Sequence, residues 1–360
     1  MPADVLILSR YTPLGASSRV RTYQYLEHLR AAGLTFDVRP MFDDVYVAAR
    51  NSDNGAAPLV NVVRAYIGRL RSMLSASSTR AVWIEYELLP WLPFGFEQWF
   101  YESNRPVIVD YDDAIFHRYD SHRHAAIRAL LGDKIDRIMA ASTLVVAGNE
   151  YLAGRARLAG ARHVEILPSV IDLTRYRQRT PIGSEEFVIG WIGSRSTTSH
   201  LRVLGPVLRD MATELRLRVV NVGGSRWDVP GVRIDNRTWS EEGEIDRMLD
   251  FDVGVMPLPD EPWTRGKCGF KLIQYMGCAL PTVASPVGAN VHIVDHGVTG
   301  FLASTPDDWK NSLRALARSP DLRLQMGRQG FEKAARQYSL AVTAPKLVDL
   351  VQSVLRQGRR

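Results

Sequence analysis

Two clusters of side chains in this sequence have the types and spacing to do chemistry. The first is DYDDAIF, where Asp110, Asp112 and Asp113 stand together. They close the apolar run Pro106–Asp110, so they fall at the carboxyl end of an expected strand, where open α/β sheets place their ligands. Three carboxylates there could hold a divalent cation or move protons. They could equally cap the next element or pair with Arg118 and Arg123, and spacing alone leaves these alternatives open. The second cluster is Trp263–Ser285, WTRGKCGFKLIQYMGCALPTVAS. Here Arg265, Lys267 and Lys271 surround Gly266 and Gly269. The amphipathic positions Phe270, Leu272, Ile273 and Met276 follow, and then the apolar run Pro281–Ala284. A glycine-rich basic loop that opens a helix turns N–H groups and the positive end of the helix dipole toward an anion. Lys267 and Lys271 are four apart, and Lys271 and Gln274 three apart, so on a continuous helix these side chains would share a face.

Positioning these clusters requires a particular order of elements. Asp4–Ser9 is β-rich, the loop RYTPLGASS follows, and Val20, Tyr23, Leu26 and Leu29 recur at helical spacing up to Gly33. Strand, glycine loop and helix make the first unit of a doubly wound sheet. Gly15 would permit close approach of a ligand or simply serve a turn, and Ser17 or Ser18 could cap the helix. Thr35–Arg39, Ala81–Tyr86, Leu144–Val146 and Val164–Leu167 continue as strands, with Ile127–Met139 as one helix between them. Leu173–Glu185 is rich in Arg, Thr and Pro, lacks periodicity, and reads as a linker. The pattern then restarts. Phe187–Ile192 is a strand, GSRSTTS its loop, and Gly193, Ser194 and Arg195 occupy the place that Gly15 holds in the first half. Five more short apolar runs, the last Gly300–Leu302, alternate with helices. The expected fold is therefore α/β with two doubly wound Rossmann-like domains, 1–178 and 184–338, and a last helix over 340–360 joining the first. Strand-end loops of two such domains facing each other would make a cleft the default site.

Composition narrows the function classes. The chain has 360 residues, 46% of them hydrophobic and 23% charged, as in soluble globular proteins. Its net charge is +6, divided as +3 (22 basic against 19 acidic) in residues 1–180 and +3 in the rest. Neither half is a basic pole, which argues against a nucleic-acid partner. The N-terminus has no basic n-region or long apolar h-region, so no signal peptide is expected, and no stretch is long and apolar enough to span a bilayer. The two cysteines, Cys268 and Cys278, suit a reducing cytoplasm better than a disulfide framework. His117, His122 and His124 lack zinc-ligand spacing and read as a solvated helix start. Residues 54–81 carry no acid but have Arg64, Arg69, Arg71 and Arg80, beside an apolar stripe of Val62, Val63, Tyr66, Ile67, Leu70 and Leu74. Such a helix near Arg64–Arg71 could lie peripherally on an anionic inner membrane face, or be an ordinary surface helix whose polar side is arginine.

The segments KCGFKLIQYMGCALPTVASPVGAN, GWIGSRST and DVGVMPL resemble the retaining GT-B glycosyltransferases of the "group 1" type, glycosyltransferase family 4. PLGASSRVR and DYDDAIF look like variants found in that superfamily. The resemblance covers most of the chain, most strongly Phe187–Tyr338. It implies transfer of a sugar from a nucleotide-diphosphate-sugar donor to a hydroxyl acceptor with retained configuration, without an essential metal or other cofactor. It also implies donor contacts at Gly15, Gly193, Ser194, Arg195, Arg265, Lys267, Gly269, Phe270, Lys271 and Gln274. Asp112, with Asp113 second, stands roughly where relatives keep an acceptor-orienting or acid–base group. The family's Glu-x7-Glu is replaced by Gly266 and Gln274, and the Arg and Lys that commonly grip the diphosphate are replaced by Ser194 and Ser199. The resemblance thus allows a second reading, a nucleotide-sugar-binding or partner-binding module without catalysis.

Overall fold

The computed structural model describes residues 3–51, 58–179 and 186–357. Residues 180–185 of the expected linker, 54–57 of the acid-free segment and the tail 358–360 lie outside the described residues. The chain divides into two compact units. One comprises Met1–Ser169, Arg265–Cys268 and Thr343–Arg360, and the other Val170–Thr264 and Gly269–Val342.

The first unit is built on six parallel strands: β1 (Val5–Leu8), β2 (Phe36–Val38), β3 (Ala81–Glu85), β4 (Val107–Tyr111), β5 (Leu144–Ala147) and β6 (Val164–Ile166), in the order β2-β1-β3-β4-β5-β6. Strands β1, β3, β4 and β5 are buried along their length, as a parallel sheet covered on both faces requires. The chain leaves β1 toward β2 and then returns to the other side of β1 as β3. That reversal is the topological switch point, where loops diverge and leave a crevice.

The second unit repeats the plan with β7 (Phe187–Ile192), β8 (Leu217–Val222), β9 (Arg233–Arg237), β10 (Val253–Met256), β11 (Thr282–Ala284) and β12 (Gly300–Leu302). Their order is β12-β11-β10-β7-β8-β9, again all parallel, with the switch point between β7 and β10. Trp191, Leu208, Trp309 and Leu313 fill one side of this sheet, and Phe251, Ile273, Tyr275 and Met276 belong to a second buried cluster.

Three local expectations differ from the structure. Ile127–Met139 is two helices, Ala125–Leu131 and Lys134–Ala141, separated at Gly132, a poor helix residue, and the second places Lys134 in the interior. Ser17 and Ser18 do not cap the helix Ala16–Arg21, whose N-terminal cap is Gly15 without a side-chain bond. Their hydroxyls face carboxylates on β3 and after β4 instead. The first part of the expected linker is packed: Tyr176 lies against Gly277, and Arg179 N donates to the Cys278 carbonyl at 2.9 Å within the second unit.

Candidate functional site

In the first unit the carboxylates separate by role. Asp110 is buried and forms a two-pronged pair with Arg21, at 2.7 Å from Nε and 3.0 Å from Nη2. Arg21 also donates to the Leu167 carbonyl at 2.7 Å. This pair ties the first helix to β4 and to the chain beyond β6. It is structural, and removing one partner would leave an uncompensated buried charge.

Asp112 is only partly buried and has hydroxyl neighbours. Ser17 Oγ lies 2.9 Å from Asp112 Oδ1, from Glu85 Oε1 and from the Tyr86 hydroxyl. The Tyr86 hydroxyl donates to the same Asp112 oxygen. Ser17 has one proton, so it can serve Glu85 or Asp112 but not both at once. Ser18 donates to Glu85 Oε2 at 2.5 Å, and Arg10 N donates to the same oxygen at 2.9 Å. Desolvation, then the neighbouring charge of Asp113, pushes the Asp112 carboxyl up to about 7. A carboxyl that titrates near neutral pH can both take and return a proton. Tyr86 reaches Asp112 from a backbone at φ 65°, left-handed for a bulky residue, and such strain concentrates at functional sites.

Asp113 pairs with Lys267 Nζ at 3.3 Å. Lys267 lies in the tetrapeptide Arg265–Cys268, which belongs to the first unit although its neighbours on both sides belong to the second. Asn149 Nδ2 donates to the Gly266 carbonyl at 2.9 Å and to the Lys267 carbonyl at 3.2 Å, and Cys268 Sγ donates to the Asp112 carbonyl at 3.1 Å. Gly266 is packed so closely that a Cβ there would stand 2.4 Å from Ala114 Cβ. A glutamate placed here would collide with Ala114 unless the backbone shifted. Arg265 is exposed on the same tetrapeptide. The three aspartates therefore engage different partners, and the described residues contain no group of three or more His, Cys, Asp or Glu arranged to hold a metal ion. His117 is not the solvated start expected: its ring nitrogens lie 2.8 Å from Asp120 Oδ1 and 2.8 Å from the Tyr151 hydroxyl.

Gly15, on the loop after β1, has its missing side-chain space filled by Tyr11, whose Cβ would be 2.4 Å from an added Cβ. Its tight neighbour is the protein's own ring.

In the second unit the residues at the strand ends are small or basic. Gly193 follows β7, and Ser194, Arg195 and Ser196 are exposed beyond it, with Ser194 Oγ 2.9 Å from Ser196 Oγ. Ser199 is also exposed, in the helix Thr198–Arg202 that follows. Gly223 after β8 approaches the Gly193 carbonyl, and Trp239 lies against it. The helix Phe270–Gly277 starts at Gly269, whose φ of 66° breaks any helix arriving from its N-terminal side. Lys267 thus precedes the helix, and the shared helical face expected for Lys267 and Lys271 does not exist. Lys271 and Gln274 do share one. Lys271 Nζ is held 5.6 Å above the Trp191 ring, beside Gly193. Phe270 packs on the hydrophobic cluster of this unit, and Gln274 is buried with a hydrogen bond to Tyr176.

Glu85, Tyr86 and Trp191 are not singled out by the sequence; the one hint is a carboxylate, Glu85, at the end of an apolar run. Trp191 looks like any core aromatic until Lys271 is found above it.

Residues 188–319 match the family model described as glycosyl transferases group 1. No curated protein matches the chain significantly. Among solved structures, the chain is similar to sucrose-phosphate synthase from Thermosynechococcus elongatus, with a TM-score of 0.74 at 15% identity over 98% of this chain and 99% of that one. It is similar to HepE of Anabaena in complex with UDP, with a TM-score of 0.68 at 14% identity over 97% and 100% of the two chains. It is also similar to a glycosyltransferase from Rickettsia africae, with a TM-score of 0.67 at 11% identity over 99% and 100%. These likenesses establish the fold as GT-B, with two Rossmann-like units.

Proposed function

We propose that this chain is a glycosyltransferase that moves a sugar from a nucleotide-diphosphate-sugar to a hydroxyl acceptor with retention of anomeric configuration. The observation that carries the reading is the group 1 match over residues 188–319, which spans both the Gly193 loop and the Lys271 helix. The likeness to HepE, solved with UDP and with UDP-glucose, supports a uridine nucleotide as the first donor to try.

In this reading the second unit holds the donor. Lys271 and the backbone N–H groups of the Gly193 loop meet the diphosphate, and Gln274 takes the ribose diol through its amide, exchanging its bond to Tyr176. As the anomeric C–O bond breaks, charge accumulates on the departing diphosphate. Fixed cations and N–H dipoles that meet charge as it develops supply a large part of catalysis in such sites. The acceptor oxygen forms the new bond on the face the diphosphate leaves. Its proton passes to the leaving diphosphate oxygen, with Asp112 orienting the hydroxyl or taking the proton in turn. The described donors to Asp112, Ser17 and Tyr86, both engage Oδ1, which leaves Oδ2 for the substrate. Asp113 and Lys267 hold each other in place beside it. Arg195, exposed in the second unit, is a cation for the donor's outer phosphate. The proposal includes no essential metal. It places the chain in the cytoplasm, where both unpaired cysteines would stay reduced.

The packing of Gly266 against Ala114 favours a second reading, because the family's donor-sugar glutamate cannot be restored there without a shift of the backbone. On that reading the chain binds a nucleotide-sugar without transferring it. Incubation with a panel of nucleotide-sugars separates the two. A transferase should hydrolyse one of them slowly in the absence of acceptor, and Asp112→Asn should bind that same compound without turnover. Binding without hydrolysis by the wild-type chain would establish the second reading.

A further inference from the structure

The helix Leu59–Ser75 has exposed apolar side chains beside its buried face. Its inner face carries Met73 and, unexpectedly, Arg69, whose guanidinium is buried and donates to the Ser9 carbonyl at 2.5 Å. Its outer face carries Leu59, Val63, Ile67, Leu70 and Leu74, at helical spacing and each 43–77% exposed. Of the arginines expected on this helix, Arg64 and Arg71 are exposed, whereas Arg69 is turned inward. A contiguous exposed apolar stripe marks an interaction surface.

A second exposed patch adjoins it in the same unit. The Tyr66 hydroxyl, on this helix, donates to the Pro90 carbonyl. The next residue, Trp91, is 46% exposed, and Phe96 and Trp99 follow at 60% and 47%. These rings stand on a rigid base. Buried Lys134 lies 2.8 Å from Glu87 and 3.2 Å from Glu97 and donates to the Leu89 carbonyl at 2.5 Å. Glu97 in turn accepts from the backbone of Leu88 and Leu89 at 3.0 and 3.1 Å. Trp91 itself adopts φ 63°, a left-handed conformation unfavourable for a residue with a side chain. A left-handed backbone and a buried ion network thus hold these aromatic rings about half exposed to water.

The charge of the region selects the occupant. The helix Leu59–Ser75 contains no acidic residue, and Arg64 and Arg71 are exposed on it. Beside Trp91, the His122 ring packs at 5.9 Å, and exposed Arg123 and Arg128 follow in the chain. Aliphatic and aromatic side chains ringed by arginine are the composition of a surface that sinks into the headgroup region of an anionic bilayer. We propose that this face of the first unit docks on an anionic lipid surface, with the helix Leu59–Ser75 lying in the interface plane. No described helix is long and apolar enough to cross a membrane, so the contact is peripheral. The proposal does not depend on sugar transfer.

The test is co-sedimentation of the full chain with vesicles of phosphatidylglycerol and phosphatidylcholine, against phosphatidylcholine alone. Binding is expected to the anionic vesicles only, weakening as salt rises. Ile67→Glu with Leu70→Glu, both exposed positions, should abolish binding while leaving the circular dichroism spectrum and Tm unchanged. Arg64→Gln with Arg71→Gln should weaken it by about fivefold per arginine. Absence of binding to anionic vesicles at low salt would overturn the proposal, as would equal binding by the Ile67→Glu/Leu70→Glu variant. A wild-type dimer in sedimentation velocity that this variant dissociates would assign the face to a second copy of the chain, and would also overturn it.

Discussion

The two units use one sheet plan for opposite chemistry. At the strand ends of the first, Glu85, Asp112 and Asp113 are joined by Ser17, Tyr86 and Lys267 in a dense set of hydrogen bonds. At the strand ends of the second, Gly193, Ser194 and Gly223 leave backbone and small hydroxyls near Lys271. The first suits proton movement and the second suits an anion. Parallel sheets wound from a switch point supply the same crevice in both cases. Side-chain type, added at the same positions of the plan, decides what each crevice can do.

The largest expected effect tests whether Asp110 belongs to the chemistry or to the scaffold. Arg21→Met leaves the buried Asp110 charge without its partner and should cost about 3–5 kcal/mol of stability in urea denaturation. If stability were unchanged, Asp110 would have to be reassigned to the reactive group. Asp112→Asn should keep the fold and nucleotide affinity while lowering turnover by roughly 10²–10⁴-fold. The wild-type rate should rise through pH about 7 as Asp112 ionises, and the variant should lack that step. A variant with normal turnover removes Asp112 from the mechanism.

Lys271→Ala probes the second unit. It should lower turnover by roughly 10²–10³-fold, with weaker nucleotide-diphosphate binding in calorimetry. Lys267→Ala should weaken that binding less, because Lys267 is engaged with Asp113. Equal losses from the two lysines would erase the division drawn between the units. Gly266→Ala brings a methyl group against Ala114 and should cost about 1–3 kcal/mol in thermal or urea unfolding, without restoring any donor contact.

The smallest effect concerns stability against pH. The folded carboxyl of Asp112 titrates near 7, above its ordinary 3.8, so the folded state favours the protonated form. Its contribution is therefore present below pH 3.8 and is lost as pH rises toward 7. Asp112→Asn removes that loss. Its Tm should exceed that of the wild-type chain at pH 8 by on the order of 2–4 °C, and the difference should vanish at low pH. A lower Tm at pH 8 would mean that the ionised carboxylate stabilises the fold.

Much of this molecule is legible in the order of its residues. Apolar runs bounded by glycine loops specify two doubly wound sheets, because strand burial and helical periodicity are local patterns. Gly193 and the aspartates are placed at strand ends by the same patterns. What the order of residues left open were questions of partner and orientation. Asp110 and Asp112 are two positions apart in one short motif, yet Arg21 neutralises one while burial and Asp113 raise the carboxyl of the other. Lys267 and Lys271 are at helical spacing, but Gly269 in a left-handed conformation separates them. The helix Leu59–Ser75 has a clear apolar stripe, and only packing revealed that half of it faces outward around a buried Arg69. Periodicity reports which residues share a face. Which face is buried, and which of several like charges meets a counter-ion, depends on residues distant in the chain, so tertiary structure alone decides them.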